Sequence, residues 1–147
     1  MAKPHRQTVI SAILFVIFLF VAVGLAAALA IVFAPVDLTL DEDSYTLSFF
    51  IFHKESASYD DLAEVALLTD ETYSSERITS YGGISKAFGT YENDEYGEHF
   101  RLTFSENTKN FILLKRKDGS VTVFNQKSVA ATEELYNKLS ERVALPA

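Results

Sequence analysis

The chain has 147 residues, a formal charge of -7, no cysteine and three histidines. The missing cysteines exclude disulfides, thiolate catalysis and Cys-based zinc sites, and the acidic balance argues against nucleic acid, whose phosphates need a continuous basic track. The charge is unevenly spread: Asp37 to Glu95 holds fourteen acidic residues against Lys54, Arg77 and Lys86, whereas Tyr96 to Ala147 has six acidic against eight basic.

Residues 1–7 form a short tail with Lys3 and Arg6. Thr8 to Ala34 is an almost unbroken apolar run without Asp, Glu, Lys or Arg, closed by Pro35. At about 1.5 Å per residue this run crosses a hydrocarbon core of roughly 30 Å, so 8–35 reads as a transmembrane helix. A secretory signal peptide is the rival reading, because Ala28-Leu29-Ala30 imitates a cleavage site. Signal cores are usually about 7 to 15 residues, and the length here favours an uncleaved anchor. Basic residues precede the run, and Asp37, Asp41, Glu42 and Asp43 follow it. Positive flanks stay cytoplasmic, which places the chain in the cell membrane as a single-pass protein with its carboxy-terminal portion outside. Ala22, Ala26 and Ala30 recur at helical spacing and form a candidate helix-helix contact for a homo-oligomer. Ordinary Ala-rich filler is the favoured reading of that stripe.

Beyond the run, Val36 to Ala147 is enough chain for one domain with one core. Leu38-Thr39-Leu40 alternates briefly, Asp41 to Ser44 reads as a turn, and Tyr45 to His53 has the period of a strand. On that strand Tyr45, Leu47, Phe49 and Ile51 share one face, and Phe50 and Phe52 share the other. Lys54 to Ser58 reads as a polar turn; Leu62 to Leu68 is ambiguous between strand and short helix. Thr69 to Gly83 reads as a long loop ending in Gly82-Gly83, and Ser85 to Tyr91 as a strand that returns through Glu92 to Gly97. From His99 to Phe104 the alternation is clean. Phe111 to Leu114 and Val121 to Phe124 flank Asp118-Gly119, a pair suited to a tight hairpin turn. Ser128 caps an expected helix from Val129, with Leu135, Tyr136, Leu139 and Val143 on one stripe until Pro146. The sum is an α+β fold: about seven antiparallel strands in a curled sheet, its open end plugged by the terminal helix.

Ser58-Tyr59-Asp60-Asp61-Leu62, Gly82-Gly83, Gly89, Lys117-Asp118-Gly119, Phe124-Asn125 and Thr132-Glu133-Glu134-Leu135-Tyr136 together resemble the bacterial pleckstrin-homology-like domains of small membrane proteins. The resemblance spans nearly all of 36–147. It implies a bent seven-stranded barrel or sandwich capped by a carboxy-terminal helix, and it supplies no catalytic residues. The quoted positions read equally as ordinary fold markers: turn residues, close-approach glycines and helix-packing side chains.

Motifs of chemistry are missing. His53 and His99 stand apart, and no HExxH, GxSxG, phosphate-binding loop or calcium-loop spacing occurs. No catalysis and no cofactor are expected. Lys115, Arg116 and Lys117 form a candidate surface contact for lipid headgroups or an acidic partner, although strand alternation turns Arg116 away from its neighbours. Glu92 to Glu95 offers oxygen ligands for a divalent cation without a matching ligand spacing, so solvation is favoured. Two functions remain. The first is a membrane-anchored interaction module that meets an unidentified membrane or envelope protein; the second is an accessory subunit whose transmembrane helix makes the main contact.

Overall fold

The computed structural model describes residues 4–33, 36–49, 53–82 and 86–144. The chain divides into two compact units, Met1–Ala34 and Pro35–Ala147.

The first unit is the helix α1, Pro4–Val32. Its span Thr8–Ala30 covers 23 residues with a mean hydropathy of 3.0, and protein buries none of it. Apolar residues all round leave no polar side to face water. At the helical rise this span is about 35 Å long, enough to cross a bilayer's hydrocarbon core.

The second unit holds two sheets and a helix. The antiparallel strands β1 (Val36–Leu40), β2 (Ser44–Phe49) and β3 (His53–Ser58) form one sheet in the order β1-β2-β3. A single turn of 3₁₀-helix, Tyr59–Asp61, leads into β4 (Leu62–Thr69), which settles the ambiguous apolar run as a strand. Then follow β5 (Glu76–Gly82), β6 (Ala87–Asn93), β7 (Gly97–Thr103), β8 (Asn110–Arg116) and β9 (Val121–Phe124). The second sheet runs β4-β8-β9-β7-β6-β5. Its pairs are antiparallel except for β7 and β9, which are parallel. The helix α2 (Val129–Ala144) packs along β4, β8 and the 3₁₀ turn.

The α+β class agrees with the sequence expectation, but the strand count does not. Nine strands occur among the described residues where about seven were expected. The two additions are β3, expected as a polar turn, and β5, expected as loop. In β3 the residues on the covered side are His53, Glu55 and Ala57, so burial leaves no apolar alternation to read. In β5, Glu76 to Thr79 are exposed along a sheet edge. Of the expected barrel or sandwich, a closed barrel is not observed: among the described residues no ladder joins the two sheets. The expectations for Phe50, Ile51, Phe52, Gly83 and Pro146 fall outside the described residues.

Alternation along the strands sorts the core into two layers. Phe49 packs on Phe88 with ring centroids 5.1 Å apart, and His53 stacks on Phe100 at 4.0 Å, so this face of the six-stranded sheet meets the three-stranded one. Ile112, Leu114 and Phe124 share that face by register and are fully buried. On the opposite face Leu68, Tyr73, Phe111, Leu113, Val121 and Val123 make a second cluster. β7 is therefore covered on both sides, and its polar face is interior: His99 is 3% and Thr103 1% exposed. The segment between β4 and β5 provides the cover. Its Tyr73 hydroxyl lies 2.8 Å from His99 Nε2, while His99 Nδ1 donates to Gly97 O at 2.8 Å. Arg101 sits under the rings of Tyr73, Tyr91 and Phe111 at 5.5, 5.0 and 4.5 Å and donates to Ser75 and Thr103.

Local chemistry closes the connections. Asp118 Oδ1 accepts from Ser120 N–H, and Gly119 adopts φ +90°, turning β8 into β9 as the Asp-Gly pair predicts. Asn125 is fully buried; its Oδ1 accepts from Phe104 and Ser105, and its Nδ2 donates to the carbonyls of Ser105 and Thr108, which pins the β7–β8 connection. Ser128 Oγ accepts from Ala131 N–H at 3.2 Å, the expected cap of α2. Leu139 on that helix is fully buried.

Gly89 sits at φ +152°, where an added Cβ would lie 2.1 Å from the Thr79 carbonyl on β5. Backbone cannot yield as a side chain does, so Gly89→Ala is expected to cost about 2 kcal/mol or more. Urea unfolding of the full chain in detergent measures this, and a loss under about 0.5 kcal/mol would refute the close approach.

Candidate functional site

The most concentrated polar chemistry lies between the two sheets. Glu55 projects inward from β3 with its side chain 10% exposed, and the Arg116 guanidinium comes from the end of β8 to pair with Oε1 through Nη2. Tyr45 on β2 donates its hydroxyl to Glu55 Oε1 at 2.9 Å and accepts from Arg116 Nε at 3.4 Å. Thr122 on β9 donates to Oε2 at 2.8 Å. His53 Nε2 stands 3.6 Å from Oε2, beyond hydrogen-bond distance, and has no hydrogen-bond partner among the described residues. Four strands from two sheets therefore converge on one carboxylate.

The protonation of Glu55 and Tyr45 is fixed at neutral pH. Burial pushes the Glu55 carboxyl up, but the pull of His53, the hydrogen bonds from Thr122 and Tyr45 and the Arg116 charge outweigh it and hold the pKa at about 2. Burial and the neighbouring carboxylate push the Tyr45 phenol up to about 12, against the pull of Arg116. A general acid or base works best with a pKa near the operating pH. Glu55 and Tyr45 sit far from neutrality on either side, which fits a clamp better than a proton shuttle.

Hydropathy gives no warning of this cluster, because Glu55 lies in a stretch whose composition is that of a turn. The signal available is phase: His53, Glu55 and Ala57 continue a two-residue alternation in which the covered positions are polar or small.

Of the residues singled out from sequence, Arg116 alone joins this cluster. Arg116 is engaged with Glu55, Lys115 is half-buried and registers opposite Glu64 on β4, and Lys117 is exposed, its backbone N–H donating to Asp61 O. The three cations do not gather into one patch. Ala22, Ala26 and Ala30 are exposed along α1. The acidic turn Glu92 to Glu95 borders an open cleft of about 720 Å³ together with Thr72, Ser74, Ser75 and Glu76. Asn93 is committed within it, donating to Ser74 O and accepting from Tyr96 N–H. Among the described residues no group of three or more His, Asp or Glu side chains is arranged to hold a metal.

A second, smaller groove of about 250 Å³ runs between β1 and α2 and is lined by Leu38, Ala131 and Leu135 with Asp37, Glu134 and Lys138. The sequence matches no protein-family model, and no curated protein or solved structure shows significant similarity to it.

Glu55 gives a direct pH prediction. Its folded pKa lies below the ordinary 4.5, so its stabilisation is complete above about pH 5 and disappears as pH falls towards 2. The loss over that window amounts to roughly 3 kcal/mol. Glu55→Gln should lower stability by about 2–3 kcal/mol at pH 7, since it leaves Arg116 without its counter-charge. The variant should also flatten the acid limb. Equal acid limbs for wild type and variant, from urea titrations of the full chain in detergent, would dispose of the clamp.

Proposed function

We propose that the chain is a single-pass, membrane-anchored binding module: α1 crosses the bilayer, and residues 36–147 form a pleckstrin-homology-like domain that meets a partner at the membrane surface. The observation that carries this reading is the Thr8–Ala30 span, 23 residues long, strongly apolar and uncovered by protein. Lys3 and Arg6 before it and the acidic residues after it favour a cytoplasmic amino terminus and an external domain. Tethering raises the effective concentration of the domain for any partner in the same membrane.

The family likeness gains support from where its motif residues fall. Ser58 Oγ accepts from Asp60 N–H and caps the 3₁₀ turn ahead of β4, Asp118-Gly119 makes the β8–β9 turn, Asn125 anchors a connection, and Thr132 to Tyr136 lie on the helix that packs along β4 and β8. The parallel β7–β9 pair and the two additional strands depart from the seven-stranded pattern. Binding fits the site better than catalysis, because Glu55, Tyr45, Arg116 and Thr122 are occupied with one another.

Alkaline washing of membranes should leave the chain in the pellet at its full mass, and protease added to intact cells should remove the domain. A shorter soluble product beginning after Ala30 would identify a cleaved leader and defeat the anchor. Protection of the domain in intact cells would reverse the orientation.

A further inference from the structure

Each sheet ends in strands with one unpaired side, and an unpaired strand is a template for another. Three of the four edges are blunted. β4 carries a bulge between Leu62 and Glu64 and lies against α2, and β5 carries a bulge between Arg77 and Thr79. β3 presents the exposed lysine Lys54. β1 lacks the bulge and the lysine: its ladder with β2 is continuous from Val36 to Leu40, and its one charge is the exposed Asp37, which repels an acidic strand but not a basic one.

The backbone of β1 has a defined outward set. Asp41 N–H donates to Ser44 O at 2.9 Å, which makes Asp41 and Ser44 a hydrogen-bonded pair. Such pairs alternate along an antiparallel ladder, so Thr39 and Asp37 also face β2, while Leu38 and Leu40 turn their N–H and C=O groups outward. Among the described residues nothing bonds to that outer side. The groove of about 250 Å³ opens there, with Leu38 on one wall and Ala131, Glu134, Leu135 and Lys138, one side of α2, on the other. It is apolar at Leu38, Ala131 and Leu135, and its β1 wall offers the backbone groups that an extended strand pairs with. Its charge is one-sided. Lys138 is paired with Glu134 at 2.7 Å, whereas Asp37 on β1 and the exposed Asp41, Glu42 and Asp43 beyond its end have no basic partner among the described residues.

We propose that the outer edge of β1 and the facing side of α2 form a docking groove for an extended, positively charged segment of a partner protein, which joins the three-stranded sheet as its fourth strand. Backbone bonds to Leu38 and Leu40 supply the attachment, alternate side chains enter the apolar floor, and the remaining lysines or arginines face Asp37 and the acidic turn. The proposal rests on reading the folded unit as an interaction module and gives that module's ligand a chemistry.

The test uses the full chain in detergent and a fluorescent peptide of about six residues alternating lysine with valine. Saturable anisotropy is expected at low salt, with new hydrogen-exchange protection at the Leu38 and Leu40 amides and no binding of the glutamate-for-lysine peptide. Ala131→Trp, which fills the groove, and Asp37→Lys should each weaken binding by about tenfold or more. Circular dichroism checks that both variants fold; if neither does, the pattern of protection in the wild-type chain decides. Absence of saturable binding, protection located elsewhere, or binding indifferent to folded variants overturns the proposal. Protection that appears with rising protein concentration alone assigns the edge to a second copy and also overturns it. Membrane retention is read in a separate experiment, so failure of the groove and failure of the anchor are distinguishable.

Discussion

Among the described residues no backbone ladder runs between the two sheets of the folded unit, and side chains join them: the apolar layer around Phe49, Phe88 and Phe124, and the ion pair of Glu55 with Arg116. The apolar layer is strong, but the hydrophobic effect behind it is non-directional. A carboxylate that must meet a guanidinium, a phenol and a hydroxyl tolerates very little. A slip of β3 by one residue would turn Glu55 to the outside and leave Arg116 facing nothing, so the pair fixes which register the smaller sheet adopts against β8 and β9. Removing two charges from water costs several kcal/mol before their attraction is counted. The contribution of the cluster is therefore better read as uniqueness of arrangement than as a large share of net stability.

On the far face of the six-stranded sheet a different solution appears. The segment between β4 and β5 contains little apolar surface, yet it covers β7 by placing Tyr73 over His99 and the guanidinium of Arg101 beneath three rings. Lys109 and Asp70 add an exposed ion pair at 3.0 Å, whose worth in solvent is small. Cation-ring contacts and the hydrogen bond to His99 let a polar strand face become interior without leaving donors stranded.

How much of this was legible in the chain depends on how local each feature is. The cap at Ser128, the turn at Asp118-Gly119 and the stripe through Leu139 are written within a few residues of one another, and each stands where the sequence puts it. β3 and β5 were hidden because hydropathy reports apolar faces, and their faces are a buried carboxylate and an exposed edge. The partnership of Glu55 with Arg116 spans 61 positions, with no pattern in either segment that names the other. The division of Lys115, Arg116 and Lys117 followed from alternation, but the destination of Arg116 did not. The groove beside β1 could be read only after the strand order and the position of α2 were known.

The order β4-β8-β9-β7-β6-β5 sets the sequence in which the fold can be completed. β5, β6 and β7 form a meander of neighbours, but β4 has no partner until β8 arrives, and β7 has an open side until β9 fills it. The hairpin Asn110 to Phe124 is thus a keystone inserted last into a sheet whose two parts have waited for it. Such non-local closure is slow compared with the pairing of adjacent strands. Throughout synthesis up to that hairpin the sides of β4 and β7 that it later fills stand open, and they mark the interval in which the chain is most exposed to wrong pairing.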